Sequence, residues 1–174
     1  MNKNDFAGIS IKGRVSYSIC CLESALINMG CKIKDWKIIL KQLWTYTNVE
    51  FFEDWHYSTS EFLPESILEF NEFDNNNFEY INEETYLTLY KLYKSENDIV
   101  KNLVKLIFNI GISEFYGRLE NQGQQSLNSV EILLNYMNKN KIPLPDISKF
   151  QSLSYSEGNG WGNDFDGRSL STIL

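Results

Sequence analysis

The chain carries a single histidine, His56, in the run EDWHYS beside Glu53 and Asp54. A carboxylate that orients an imidazole makes an acid–base pair, so this is the first place to look for chemistry. A histidine set in an acidic, aromatic surface accounts for the same residues more simply. Cys20, Cys21 and Cys31 offer a second candidate. Cys20 and Cys21 are adjacent on a predicted helix and therefore point to different faces. A thiolate nucleophile would need His56 brought to it by the fold. A zinc or redox site would need a spaced pair or several histidines. Reduced structural cysteines fit better. A third candidate is SEGNGWGNDFDG at 156–167. Its glycines could cradle a phosphate, but no strand precedes them and no helix-opening lysine follows. Asp164, Asp166 and Asn163 point to a calcium loop without the spacing or the closing glutamate of an EF-hand. The expectation is a turn-rich loop in which Trp161 anchors the tail.

The strongest signal lies elsewhere. Residues 50–70 read EFFEDWHYSTSEFLPESILEF, and between Lys41 and Lys91 there is no lysine or arginine. That window holds eleven carboxylates: Glu50, Glu53, Asp54, Glu61, Glu65, Glu69, Glu72, Asp74, Glu79, Glu83 and Glu84. Thirteen aromatic residues share it. Paired carboxylates can hydrolyse glycosides, but eleven like charges do not resemble one tuned pair. Uncompensated charge raises the energy of a compact state. A basic partner would offset that cost, with carboxylates speeding encounter and rings holding the complex. The residues expected to meet it are Glu50, Glu53, Asp54, Trp55, Tyr57, Glu61, Glu65, Glu69, Glu72 and Asp74.

The elements that must position these residues are helical. Val15, Ile19, Leu22, Leu26 and Met29 form one stripe, with Gly30 as C-cap. Asp35 is expected to cap a helix striped by Trp36, Ile39, Leu40, Leu43 and Trp44. Pro64 opens a short segment, DNNN at 74–77 is a loop, and Asn82 caps a helix striped by Tyr86, Leu89, Tyr90 and Tyr93. A helix from Asp98 follows, which Gly111 ends or kinks. After a polar connector at 117–126 comes another, striped by Leu127, Val130, Leu133, Leu134 and Met137 and stopped by Pro143 and Pro145. No βαβ alternation, hairpin series or fixed repeat is present. The expected fold is all-α: one domain over 1–174, an irregular bundle of about six or seven helices. It contains an acidic aromatic segment, 42–90, and a loop-rich C-terminal tail, 152–174.

The chain's 174 residues can bury a core without staples. At 43% hydrophobic and 14% aromatic it is too apolar for a disordered acidic tail. A net charge of -7 argues against sequence-independent nucleic-acid binding and against an anionic membrane as partner. MNKNDFAGISIKG has no secretory apolar core, and LVKLIFNIGI is too short to span a bilayer, so a cytoplasmic protein is expected.

A short, acidic, aromatic-rich chain without a catalytic motif resembles the immunity proteins of bacterial polymorphic toxin systems, including contact-dependent growth inhibition. GRVSYSICCLESAL at 13–26 and GWGNDFDGRSLSTIL at 160–174 are similar to segments of such families. The resemblance implies a non-enzyme, without cofactor, that binds a cognate toxin domain and blocks its active site. A basic nuclease suits the acidic segment, with a ribonuclease preferred. The alternatives are an acidic adaptor or regulatory interaction domain, and a small hydrolase built on carboxylates or a cysteine.

Overall fold

The computed structural model describes residues 1–115 and 119–174. Gly117 and Arg118, the start of the expected polar connector, lie outside the described residues. Seven α-helices carry the fold among the described residues: α1 Ile11–Asn28, α2 Ile33–Trp44, α3 Phe52–Ser60, α4 Pro64–Glu69, α5 Glu83–Ser95, α6 Asp98–Ile112 and α7 Gln124–Lys139. Short 3-10 turns join them. The β pairing found among those residues is one isolated bridge between Ile9 and Ser154. The fold is all-α, as the spacing predicts.

The expected stripes become the core. Trp36, Ile39, Leu40, Leu43 and Trp44 of α2 are buried, as are Leu127, Val130, Leu133, Leu134 and Met137 of α7. The punctuation also behaves as predicted. Gly30, at φ 69°, lets the Cys31 N–H reach back to the Leu26 carbonyl and closes α1. Asn82 accepts from the Thr85 N–H at 2.9 Å, and Pro64 is the first residue of α4.

One capping expectation is corrected. α2 begins at Ile33, so Asp35 stands in its first turn instead of capping it. Ile33 packs against the core and draws the extra turn into the helix. Gly111 stands one residue short of the end of α6, which runs to Ile112. The glycine is a notch: a Cβ there would stand 2.7 Å from Cζ3 of Trp55. The Gly111 carbonyl also accepts from the Tyr46 hydroxyl at 2.9 Å.

Helix α1 is the axis of the molecule, packed against α2, α6, α7 and the 3-10 turns at Ile147–Phe150 and Gly167–Leu170. Its apolar stripe is only part of what it buries, for Lys12, Arg14, Ser16, Ser18 and Glu23 are enclosed too. Burying polar groups is tolerable only when each finds a partner. Ser16 and Ser18 donate to the Lys12 and Arg14 carbonyls, both at 2.7 Å. Arg14 donates to the carbonyls of Phe6, Ala7, Gln122 and Gly123 and to Ser126 Oγ. Lys12 pairs with Asp164. Glu23 accepts from Trp44 Nε1 at 3.1 Å, from the Ser171 hydroxyl, and from the backbone and hydroxyl of Thr172 at 2.7 and 2.9 Å.

These polar contacts fasten the tail along α1. The Ser10 N–H meets the Leu153 carbonyl at 2.8 Å, the Lys12 N–H meets the Trp161 carbonyl at 3.0 Å, and Glu23 holds Ser171 and Thr172. The segments 13–26 and 160–174, noted separately for their resemblance, therefore clasp one another. Trp161 stacks on Phe52 with ring centroids 4.5 Å apart, in keeping with its expected anchoring role.

Candidate partner-docking face

The nine-residue α3 divides the acidic run into two faces. Phe52, Trp55 and Thr59 stand three and four residues apart and point inward. Asp54, Tyr57 and Glu61 repeat the same spacing on the outer side. Trp55 is therefore not a contact residue for a partner, and that expectation is corrected. It is 1% exposed, stacked on Phe108 at 5.7 Å and edge-on to Tyr46 at 4.8 Å, with Gly111 beneath it. Its indole N–H finds no partner among the described residues.

The rings that do face solvent are Phe51 at 57%, Tyr57 at 55% and Tyr80 at 45%. Among the described residues these are the exposed large aromatics, and all three fall in the segment without lysine or arginine. Phe51 and Tyr80 were not among the residues expected from sequence. The signal was present in the pair Phe51-Phe52 at the start of a helix, where one ring turns in and its neighbour out. Tyr80 likewise alternates with buried Ile81.

Glu61 joins the two parts of this face. Its Oε1 accepts the Glu79 N–H at 2.7 Å, and its Oε2 accepts those of Tyr80 and Ile81 at 2.8 and 3.0 Å. Tyr80 is thereby brought beside α3. Desolvation raises its hydroxyl pKa, and the charges of Glu79, Asp54 and Glu61 raise it further.

The remaining candidate carboxylates differ in what engages them. Glu50, Glu53 and Asp54 are exposed, with Glu53 and Asp54 in the first turn of α3, where negative charge suits the helix dipole. Glu65 pairs with Lys105 at 2.9 Å, and it is the one carboxylate of 42–90 in an ion pair among the described residues. Glu69, Glu72 and Asp74 are exposed around a loop rooted by Phe70, Phe73, Phe78 and Tyr86. Asp74 accepts from the Asn76 N–H at 2.9 Å.

The sites first considered for catalysis are engaged structurally. His56 lies among the rings of Tyr57, Phe108 and Phe115, while Glu53 and Asp54 stand out in solvent. In the glycine-rich loop, Gly160 backs onto the Tyr155 ring and Gly162 onto Ser10, so these glycines serve close packing. Asp164 is taken by Lys12, and Asp166 by Arg168. Burial pushes the Cys20 thiol up to about 12 and the Cys31 thiol to about 11, and it raises Cys21 well above the ordinary thiol range. At neutral pH, N-ethylmaleimide should therefore label half-buried Cys31 first, and Cys20 and Cys21 only as the protein unfolds. Mass spectrometry of the native protein showing prompt labelling of Cys20 would contradict this. A cleft of about 340 Å³ lies over Cys20, walled by Ile27, Pro143, Pro145, Phe150 and Leu170. Of the polar groups around it, Asp146 accepts from Ser148 and Ser24 donates to the Pro143 carbonyl.

Among the described residues, no helix is long and apolar enough to cross a membrane. No protein-family model, curated protein or solved structure matches the chain.

Proposed function

We propose that this chain is an immunity protein that binds a cognate bacterial toxin domain in the cytoplasm and blocks its active site, the toxin being a basic nuclease and by preference a ribonuclease. The observation that carries this reading is the coincidence of the exposed aromatic rings Phe51, Tyr57 and Tyr80 with carboxylates that, Glu65 apart, form no ion pair among the described residues. Exposed aromatics are the residue type that dominates binding energy at protein interfaces. Unpaired carboxylates around them speed the approach of a positively charged partner. A nuclease active-site surface is positive because it must hold phosphates, so the face that suits it is the one described.

The test is neutralisation in cells. A basic nuclease domain found encoded beside this chain would be expressed alone and then together with it. Growth should stop in the first case and recover in the second, and the two proteins should purify as one complex. A toxic domain whose effect is unchanged by co-expression, with no complex recovered, would contradict the reading. Recovery of a complex with a non-toxic basic protein would favour the adaptor alternative.

A further inference from the structure

Glu61 is expected from the sequence to meet the partner, and the structure gives it a second task within the chain. Both carboxylate oxygens are occupied by three consecutive backbone N–H groups, those of Glu79, Tyr80 and Ile81. These donors lie 18 to 20 residues further along the chain, so the contact joins two separate stretches. Ile81 is buried and roots the loop, and the adjacent Tyr80 is left 45% exposed. On the α3 side, Asp54 and Tyr57 lie on the same helix face as Glu61, seven and four residues before it.

From this arrangement, and resting on the docking reading above, we infer that Glu61 is a positioning residue. It assembles a seat for an arginine guanidinium of the partner from the rings of Tyr57 and Tyr80 and the carboxylates of Asp54 and Glu79. The chemistry favours arginine over lysine. A guanidinium is planar, weakly hydrated and able to lie flat on an aromatic ring while its fork of N–H groups meets carboxylates at the edge. An ammonium is compact and strongly hydrated, and it gains less from a ring. Two exposed tyrosines flanked by carboxylates match the first cation better than the second. Glu61 acts through Tyr80, by fixing the loop that carries it.

The probes are a nona-arginine and a nona-lysine peptide, titrated into the isotopically labelled protein and followed by amide chemical shifts. The parent protein should bind nona-arginine at least about threefold more tightly than nona-lysine, with shifts centred on α3 and residues 79–81. Tyr80→Ala and Glu61→Ala should each abolish that preference, and the double variant should lose nothing more. Glu61→Ala should also speed hydrogen exchange at the Glu79, Tyr80 and Ile81 amides, whereas Glu61→Gln, which keeps one acceptor oxygen, should recover part of both effects. Equal affinity for the two peptides, or a preference that survives Glu61→Ala, would overturn the inference. Binding that depends on Asp54→Asn and Tyr57→Ala but treats the peptides alike would remove the arginine seat and leave the docking reading standing. Binding indifferent to both substitutions would remove the docking reading as well.

Discussion

Replacing Trp55 with alanine is expected to lower the unfolding free energy by about 3–5 kcal/mol, the range for a large ring removed from a packed core. The indole fills the space between Tyr46, Phe108 and the bare backbone of Gly111. Collapse into the void is limited on two sides, because Gly111 has no side chain and Tyr46 is held by its hydrogen bond to the Gly111 carbonyl. Trp55→Phe should recover much of the loss, since the indole N–H has no partner among the described residues to leave behind. Urea unfolding of the free protein measures both variants. A Trp55→Ala protein as stable as the parent, but quicker to leave its partner, would return Trp55 to the docking face.

Arg14→Ala should have an effect of similar size, about 3–5 kcal/mol, for a different reason. The guanidinium is fully buried, and its donors reach the carbonyls of Phe6, Gln122 and Gly123 and the hydroxyl of Ser126. Asn121, Gln122 and Gly123 stand in succession at φ 49°, 61° and 70°, a left-handed turn that two non-glycine residues adopt at a cost. Arg14 holds that turn to α1. Alanine would strand buried carbonyls and remove a cation whose charge bears on buried Glu114, whose carboxylate is fixed by the Ser126 N–H at 2.7 Å. Arg14→Lys keeps the charge but cannot reach five acceptors at once, so it should lose less than alanine and still fall clearly below the parent. For a chain of this length the alanine variant should melt about 10 °C lower. An unchanged melt would mean that the turn at 121–123 stands without Arg14.

The contrast between these two residues shows what was legible in the sequence. Helical spacing located the stripes of α2, α5 and α7, and Gly30, Pro64 and Asn82 marked the end of α1 and the starts of α4 and α5. Such signals are local and survive without tertiary information. Arg14, Lys12 and Glu23 were not legible as buried, because a charge on an amphipathic helix is ordinarily solvated. Several of their partners, the carbonyls of 122 and 123, Asp164, and Ser171 with Thr172, are more than a hundred residues away. Nothing in the spacing of α1 says that the tail will lie along it. Trp55 was misplaced for a related reason. Acidic neighbours made it look like surface, although Phe52, Trp55 and Thr59 already trace an inward face. The charge of the docking face was plain from the missing lysines and arginines. Its assembly through Glu61 depends on a contact between two separate stretches, which spacing cannot show.

The central claim is that this acidic aromatic face docks the toxin. Glu53 and Asp54 lie at the start of α3, where lysine would oppose the helix dipole, so neutral substitutions separate binding from folding. The most direct measurement is stopped-flow association of the toxin domain with the parent and with the triple variant Glu50→Gln, Glu53→Gln, Asp54→Asn, at about 0.1 M and about 1 M salt. The variant should associate about tenfold more slowly at the lower ionic strength, and the two rates should converge at the higher one. Identical association rates at both ionic strengths would show that the carboxylates of α3 take no part in docking, and would contradict the account.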